Sequence, residues 1–229
     1  MSQILSFPDP SGRGGLALPP DPSRPTLSEA WSDSAGPAAS AFVLSALARP
    51  GPVLWVQDRV SGLEAGRPYA VGLRREVLLV RAGRTADALM ALEMGLGCPA
   101  LAAVVGEVWG EAPRLDFTAT QRLALRAERA GVPCWLIRRA AAPGLSAARE
   151  RWRVDPLPSA PDPWDARAPG APRWRAELFR SRTARPGAWQ ADLSGPADDR
   201  AADRLRLAPL AGDGSLVGGG AARPGRAAR

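Results

Sequence analysis

The sequence predicts an α/β fold: a parallel or mixed sheet flanked by helices, with antiparallel edge strands in its C-terminal part. Two observations carry that prediction. Up to about residue 145, short runs of Val, Leu and Ile alternate with alanine-rich stretches of helical spacing, the pattern of βαβ units. After Ser146 the texture changes, and charged or polar residues alternate with apolar ones, the period of strands with one wet face.

Taken in order, Ala38 to Ala48 reads as a helix that Pro50-Gly51-Pro52 stops, and Val53 to Gln57 as a buried strand. Val77 to Arg81 is a second strand. Thr85 reads as the N-cap of a helix from Ala86 to Leu96, whose Leu89, Leu92, Met94 and Leu96 offer an apolar face ended at Gly97. Leu101 to Val105 is a third strand. Thr118 reads as the cap of a long helix, Ala119 to Ala130, with Leu123, Leu125 and Ala127 inside and Arg122, Arg126 and Arg129 outside. Gly131-Val132-Pro133 breaks that helix, and Cys134 to Arg138 returns as a fourth strand. The alternating segments Arg151 to Val154, Trp174 to Arg180, Ala188 to Leu193 and Arg204 to Leu207 supply the antiparallel edge. Residues 1–26 read as disordered or extended, apart from a docking of Leu16 and Leu18; 27–210 read as the folded domain and 211–229 as a disordered basic tail.

Composition removes whole classes of mechanism. Histidine is absent, and all 30 basic residues are arginine, because the chain has no lysine. There is therefore no imidazole base, no His-ligated metal, no Schiff base and no phosphate-binding lysine. Cys98 and Cys134 stand too far apart for a metal-spaced set and read as buried thiols of a reducing cytoplasm. No signal peptide opens the chain and no apolar run reaches membrane-spanning length, so a cytoplasmic protein with no membrane partner is expected. The net charge of +7 favours acidic partners, nucleic acid among them, although a basic and merely solvated surface has the same composition.

The unit Glu76-Val77-Leu78-Leu79-Val80-Arg81 followed by Thr85 to Leu96, together with the hairpin-like close at Trp174 to Leu193, resembles the RecA recombinase core over Leu27 to Leu210. More closely, Gly51-Pro52-Val53-Leu54-Trp55-Val56, the run from Cys98 to Glu107 and the run from Pro172 to Leu178 resemble the ImuA family. That resemblance implies a RecA-like accessory protein of damage-induced mutagenesis. The implied partners are ImuB, a Y-family-like polymerase homologue, an error-prone replicative-type DNA polymerase, and RecA itself. These phrases are apolar, so they specify a family without specifying an activity.

The resemblance also indicates where a nucleotide site would lie. Counting back from Phe42 puts Ala39 at the P-loop lysine position and Ser40 at the hydroxyl position, with Gly36 as the remaining loop glycine and Pro37 unable to donate an amide hydrogen. Asp33 would sit unfavourably near a phosphate. Gly106 falls where the magnesium-linked aspartate belongs, and Glu107 is expected to point to the other side of the strand. Asp58 falls near the water-activating carboxylate but lacks anchors for a substrate. The expectation is a degenerate site with no catalytic residues, no metal and no cofactor.

Partner contact is then the remaining business of the chain. Arg180, Arg182 and Arg185 fall where RecA reaches a neighbour's nucleotide, and they either serve a partner or line a solvated hairpin. Among Trp152, Trp164, Trp174 and Trp189, at least half are expected in the core, and Trp164 beside Pro163 is the exposed anchor candidate. The competing class is a single-stranded-DNA-binding module acting through Arg122, Arg126, Arg129, Arg138 and Arg139. A carboxylate enzyme finds no acid pair or metal set among Glu64, Glu76, Asp87, Glu93 and Glu107.

Overall fold

The computed structural model describes residues 21, 23–32, 36–69, 75–165, 167–194 and 204–210. The readings made for Leu16, Leu18, Asp33 and the 211–229 tail lie outside these residues. One sheet of nine strands organises the chain, in the order β3-β2-β4-β5-β1-β6-β7-β8-β9. Six strands are parallel: β1 (Leu27–Ser32), β2 (Val53–Asp58), β3 (Val77–Ala82), β4 (Ala103–Trp109), β5 (Cys134–Arg139) and β6 (Glu150–Leu157). The remaining three, β7 (Arg173–Ser181), β8 (Gly187–Ser194) and β9 (Arg204–Pro209), extend it antiparallel. The α/β class and the antiparallel C-terminal strands are as the sequence predicts, but Arg151 to Val154, read as part of that edge, belongs to β6, an interior strand that pairs parallel with β1 and antiparallel with β7.

Strand alternation sorts the core into two layers. On one face, α1 (Ala38–Ala46) lays Phe42 and Val43 over Trp55, Val105, Trp135, Ile137 and Trp152. On the other, α3 (Thr85–Gly95) and α4 (Phe117–Ala130) cover Val56, Val104, Cys134 and Leu136 with Leu89, Leu92, Leu123 and Ala127. Helix α3 lies close to the strands because two glycines admit it: a Cβ on Gly106 would meet Leu92 and Leu136 side chains at 2.8 and 2.9 Å, and one on Gly95 would collide with Leu54. The fourth helix, α2 (Arg59–Glu64), is short and follows β2 directly.

Several local readings are corrected. Thr85 is the first residue of α3 rather than its cap; Arg84 is the capping position, and it pairs with Asp87 at 3.1 Å instead of capping by a side chain. Asp116, not Thr118, caps α4, its Oδ1 accepting from the Ala119 amide at 2.8 Å, and Gly131 at φ 66° closes the helix by donating to Ala127 O. Met94 and Leu125 face solvent. Cys98 is exposed, whereas Cys134 is buried in the sheet, and burial pushes its thiol up to about 12, far from any reactive thiolate. No helix of the described residues is long and apolar enough to cross a membrane.

Candidate functional site

The carboxyl ends of parallel strands are where an α/β sheet places ligands, because the loops that leave them diverge to opposite faces. Here the ends of β2, β4 and β5 meet the start of α1, the corner where a P-loop would lie. Residues of one parity along each strand face α1: Trp55 and Gln57 on β2, Val105 and Glu107 on β4, Trp135, Ile137 and Arg139 on β5. The last residue of each series is polar, and the polar groups converge.

Arg139 stands at the centre and is 1% exposed. Its Nε donates to Glu107 Oε1 at 2.6 Å, one Nη donates to the Gly36 carbonyl at 2.7 Å, and the other donates to Ser40 Oγ at 2.7 Å. Glu107 also accepts from Gln57 Nε2 at 2.7 Å and Trp55 Nε1 at 3.2 Å, so three donors surround one buried carboxylate. In P-loop enzymes a divalent cation bridges the loop hydroxyl and a carboxylate from a neighbouring strand. A guanidinium of the chain itself bridges Ser40 and Glu107 here.

This geometry corrects the register expected for the site. Gly106 looks the other way, into α3, and Glu107 is the β4 residue on the α1 side. Ser40 does more than open a helix, since it accepts from Arg139. Ala39, expected at the lysine position, lies in the first turn of α1 and is wholly buried. At Gly36 a carbonyl faces the crevice, whereas a phosphate cradle turns amides inward, so the polarity of the corner suits a cation. Asp58 is engaged on both oxygens, accepting from the Ser61 amide at 2.7 Å as the N-cap of α2 and from the Trp109 amide at 3.2 Å.

The arginines assigned to nucleic acid divide. Arg138 and Arg139 are buried, so neither is a surface contact; Arg138 lies over the Trp31 ring at 4.9 Å, and its burial lowers its pKa. Arg122 and Arg126 both reach Glu93 on α3, at 2.9 and 3.5 Å, while Arg129 is exposed. Arg180, Arg182 and Arg185 are exposed around the β7 to β8 turn. Trp152, Trp174 and Trp189 are core residues, and Trp164 is 95% exposed.

A second buried pair was not anticipated. Glu29, wholly buried on β1, accepts from Arg151 Nε at 2.7 Å, from Ser146 Oγ at 2.6 Å and from Trp31 Nε1 at 3.3 Å. The signal for the first cluster is a charged residue at the inward parity of an apolar strand, which only a partner on a neighbouring strand makes tolerable; β1 offers no such signal for Glu29. Among the described residues no group of three or more His, Cys, Asp or Glu side chains could hold a metal ion.

No family model matches the chain. Among individual proteins, Protein ImuA of Caulobacter vibrioides, from two strains, is 37% identical over 207 residues, a match covering 81% of this chain and 82% of the relative. The chain belongs to the ImuA family.

Proposed function

We propose that the chain serves damage-induced mutagenesis as a non-catalytic adaptor of translesion synthesis, docking an ImuB-type polymerase homologue or RecA. The observation that carries this reading is the free edge of the sheet. Among the described residues β3 pairs with β2 alone, and Leu78, Leu79 and Val80 stand 44%, 37% and 36% exposed along it. Helices α2 and α3 pack beside this strand and add exposed Val60, Leu63, Met90 and Met94. Natural proteins blunt such edges unless a partner covers them, and an extended segment of a partner can join by strand addition. The corner closed by Arg139 supports the non-catalytic half of the reading, because a fixed internal cation occupies the ground between hydroxyl and carboxylate.

Interferometry against immobilised RecA and the ImuB-type homologue of the same organism tests it, across a salt series. The expected result is salt-resistant binding to one of them that Leu79→Arg weakens at least tenfold, about 1.4 kcal/mol. Wild-type affinity in that variant would remove the edge as the docking surface. ATP hydrolysis by the purified chain above the buffer rate would end the non-catalytic reading.

A further inference from the structure

At the other end of the sheet, the amino ends of β1 and β6 border a cleft of about 320 Å³. Its walls come from four separate segments: Arg24 and Thr26 ahead of β1, Glu128 near the end of α4, Arg149 ahead of β6, and Arg182 with Thr183 after β7. A volume of this size is at the lower end of small-ligand sites. It is too small to admit a duplex and large enough for one strand's backbone.

The charges of the cleft do not cancel. Arg149 is spent on Glu128, with contacts of 2.6 and 3.2 Å, and Thr26 Oγ1 donates to the same carboxylate at 3.2 Å. The Arg149 guanidinium holds Glu128 below the usual carboxylate range, so the pair stays ionised and neutral overall. Arg24 and Arg182 have no carboxylate within ion-pair distance among the described residues. Nearby Asp21 accepts from the Ser23 amide and hydroxyl. Glu150, 2% exposed, accepts from Thr183 Oγ1 at 3.4 Å, and its burial raises its pKa. Arg180, at the end of β7, and Arg185, in the following turn, are exposed on either side of Arg182 in sequence.

We propose that this cleft seats the sugar-phosphate backbone of single-stranded nucleic acid, with Arg24 and Arg182 on successive phosphates. Concave, arginine-lined surfaces focus potential and take up polyanions by releasing counterions. Guanidiniums from two separate segments of one cleft suit a repeating anion better than an isolated phosphate. A lipid surface is disfavoured because no exposed large apolar side chain lies on the cleft walls. The assignment does not depend on the adaptor reading, whose surface is the β3 edge.

Fluorescence anisotropy of a labelled oligothymidylate with the full-length chain, titrated across salt, tests the proposal. The wild type should bind at low salt and weaken with a log-log slope of about −0.7 per phosphate neutralised. Arg24→Gln with Arg182→Gln should lose at least tenfold in affinity and flatten the slope by about 1.4, two contacts' worth. The control pair Arg59→Gln with Arg67→Gln, exposed residues away from the cleft after β2, should change neither, and matched thermal melts show that each variant folds. Absence of oligonucleotide binding at low salt, a cleft variant with wild-type affinity and slope, or an equal loss in the control would overturn it. So would displacement by inorganic phosphate as effectively, per phosphate, as by the oligonucleotide, since that marks a site for free phosphate only. Failure here with intact Leu79-dependent partner binding leaves the adaptor reading standing, and the converse also holds.

Discussion

The two ends of the parallel strands use arginine in opposite ways. At the carboxyl end, Arg139 is enclosed and meets a carboxylate, a carbonyl and a hydroxyl, all supplied by the fold. At the amino end, Arg24 and Arg182 line an open cleft near Glu128 and Glu150 but make no ion-pair contact among the described residues. The difference lies in where acceptors are provided. A guanidinium whose partners are built in becomes structure, whereas one left without them remains available to an anion from outside. At the end that an α/β sheet ordinarily reserves for ligands, the described polar groups are thereby taken up within the fold, and the opposite end carries the open charge.

The most severe way to break this contrast is to remove the acceptor at the closed end. Glu107→Ala takes from buried Arg139 its described carboxylate, from Trp55 its acceptor and from Gln57 one of two acceptors, so a loss of about 3–5 kcal/mol is expected from urea unfolding. Replacing both partners, Glu107→Leu with Arg139→Met, should recover most of that loss, because a buried ion pair contributes little net stability beside an apolar isostere. A single variant that unfolds at the wild-type midpoint would show that Glu107 does not compensate the guanidinium.

The next effect is smaller and depends on pH. Burial raises the carboxyl pKa of Glu150, so the fold binds its proton more tightly than the unfolded chain does. The stability that Glu150 contributes is then fully present below the unfolded carboxylate pKa and lost as pH rises through the raised folded value. Glu150→Gln should match the wild type in acid and melt higher near neutrality. Parallel melting curves at all pH values would show that the carboxylate is not desolvated as the geometry requires.

How far the sequence reveals these features depends on what each residue has to do locally. The change of period after Ser146 announces the antiparallel strands, and the buried Trp152, Trp174 and Trp189 follow from it. Strand β1 is hidden, since Leu-Ser-Glu-Ala-Trp-Ser has no apolar run; it is central only because Arg151 and Ser146, far along the chain, satisfy Glu29. Helix α2 is six residues long with Gly62 inside it and only Ser61 buried, too short for an apolar face. Arg138 and Arg139 look like surface charge because burial of a guanidinium is decided by partners on other strands. Glu107 was misplaced by one residue of register, and in a strand one residue is the whole difference between two faces.

The smallest expected effect tests the open end directly. The amide of Arg182 donates to Arg149 O at 3.0 Å, and its exposed guanidinium lies near Glu128 without an ion-pair contact among the described residues. Arg182→Gln should therefore leave the unfolding free energy within about 0.5 kcal/mol of wild type, as surface changes without a specific contact do. Arg149→Gln, which breaks the half-exposed pair with Glu128, should cost more, up to about 1 kcal/mol. If Arg182→Gln proves the costlier of the two, its guanidinium is holding the cleft together, and the amino end would be a second closed site like the one around Arg139. If it is neutral for stability while oligonucleotide binding falls, the charge is there for something outside the fold.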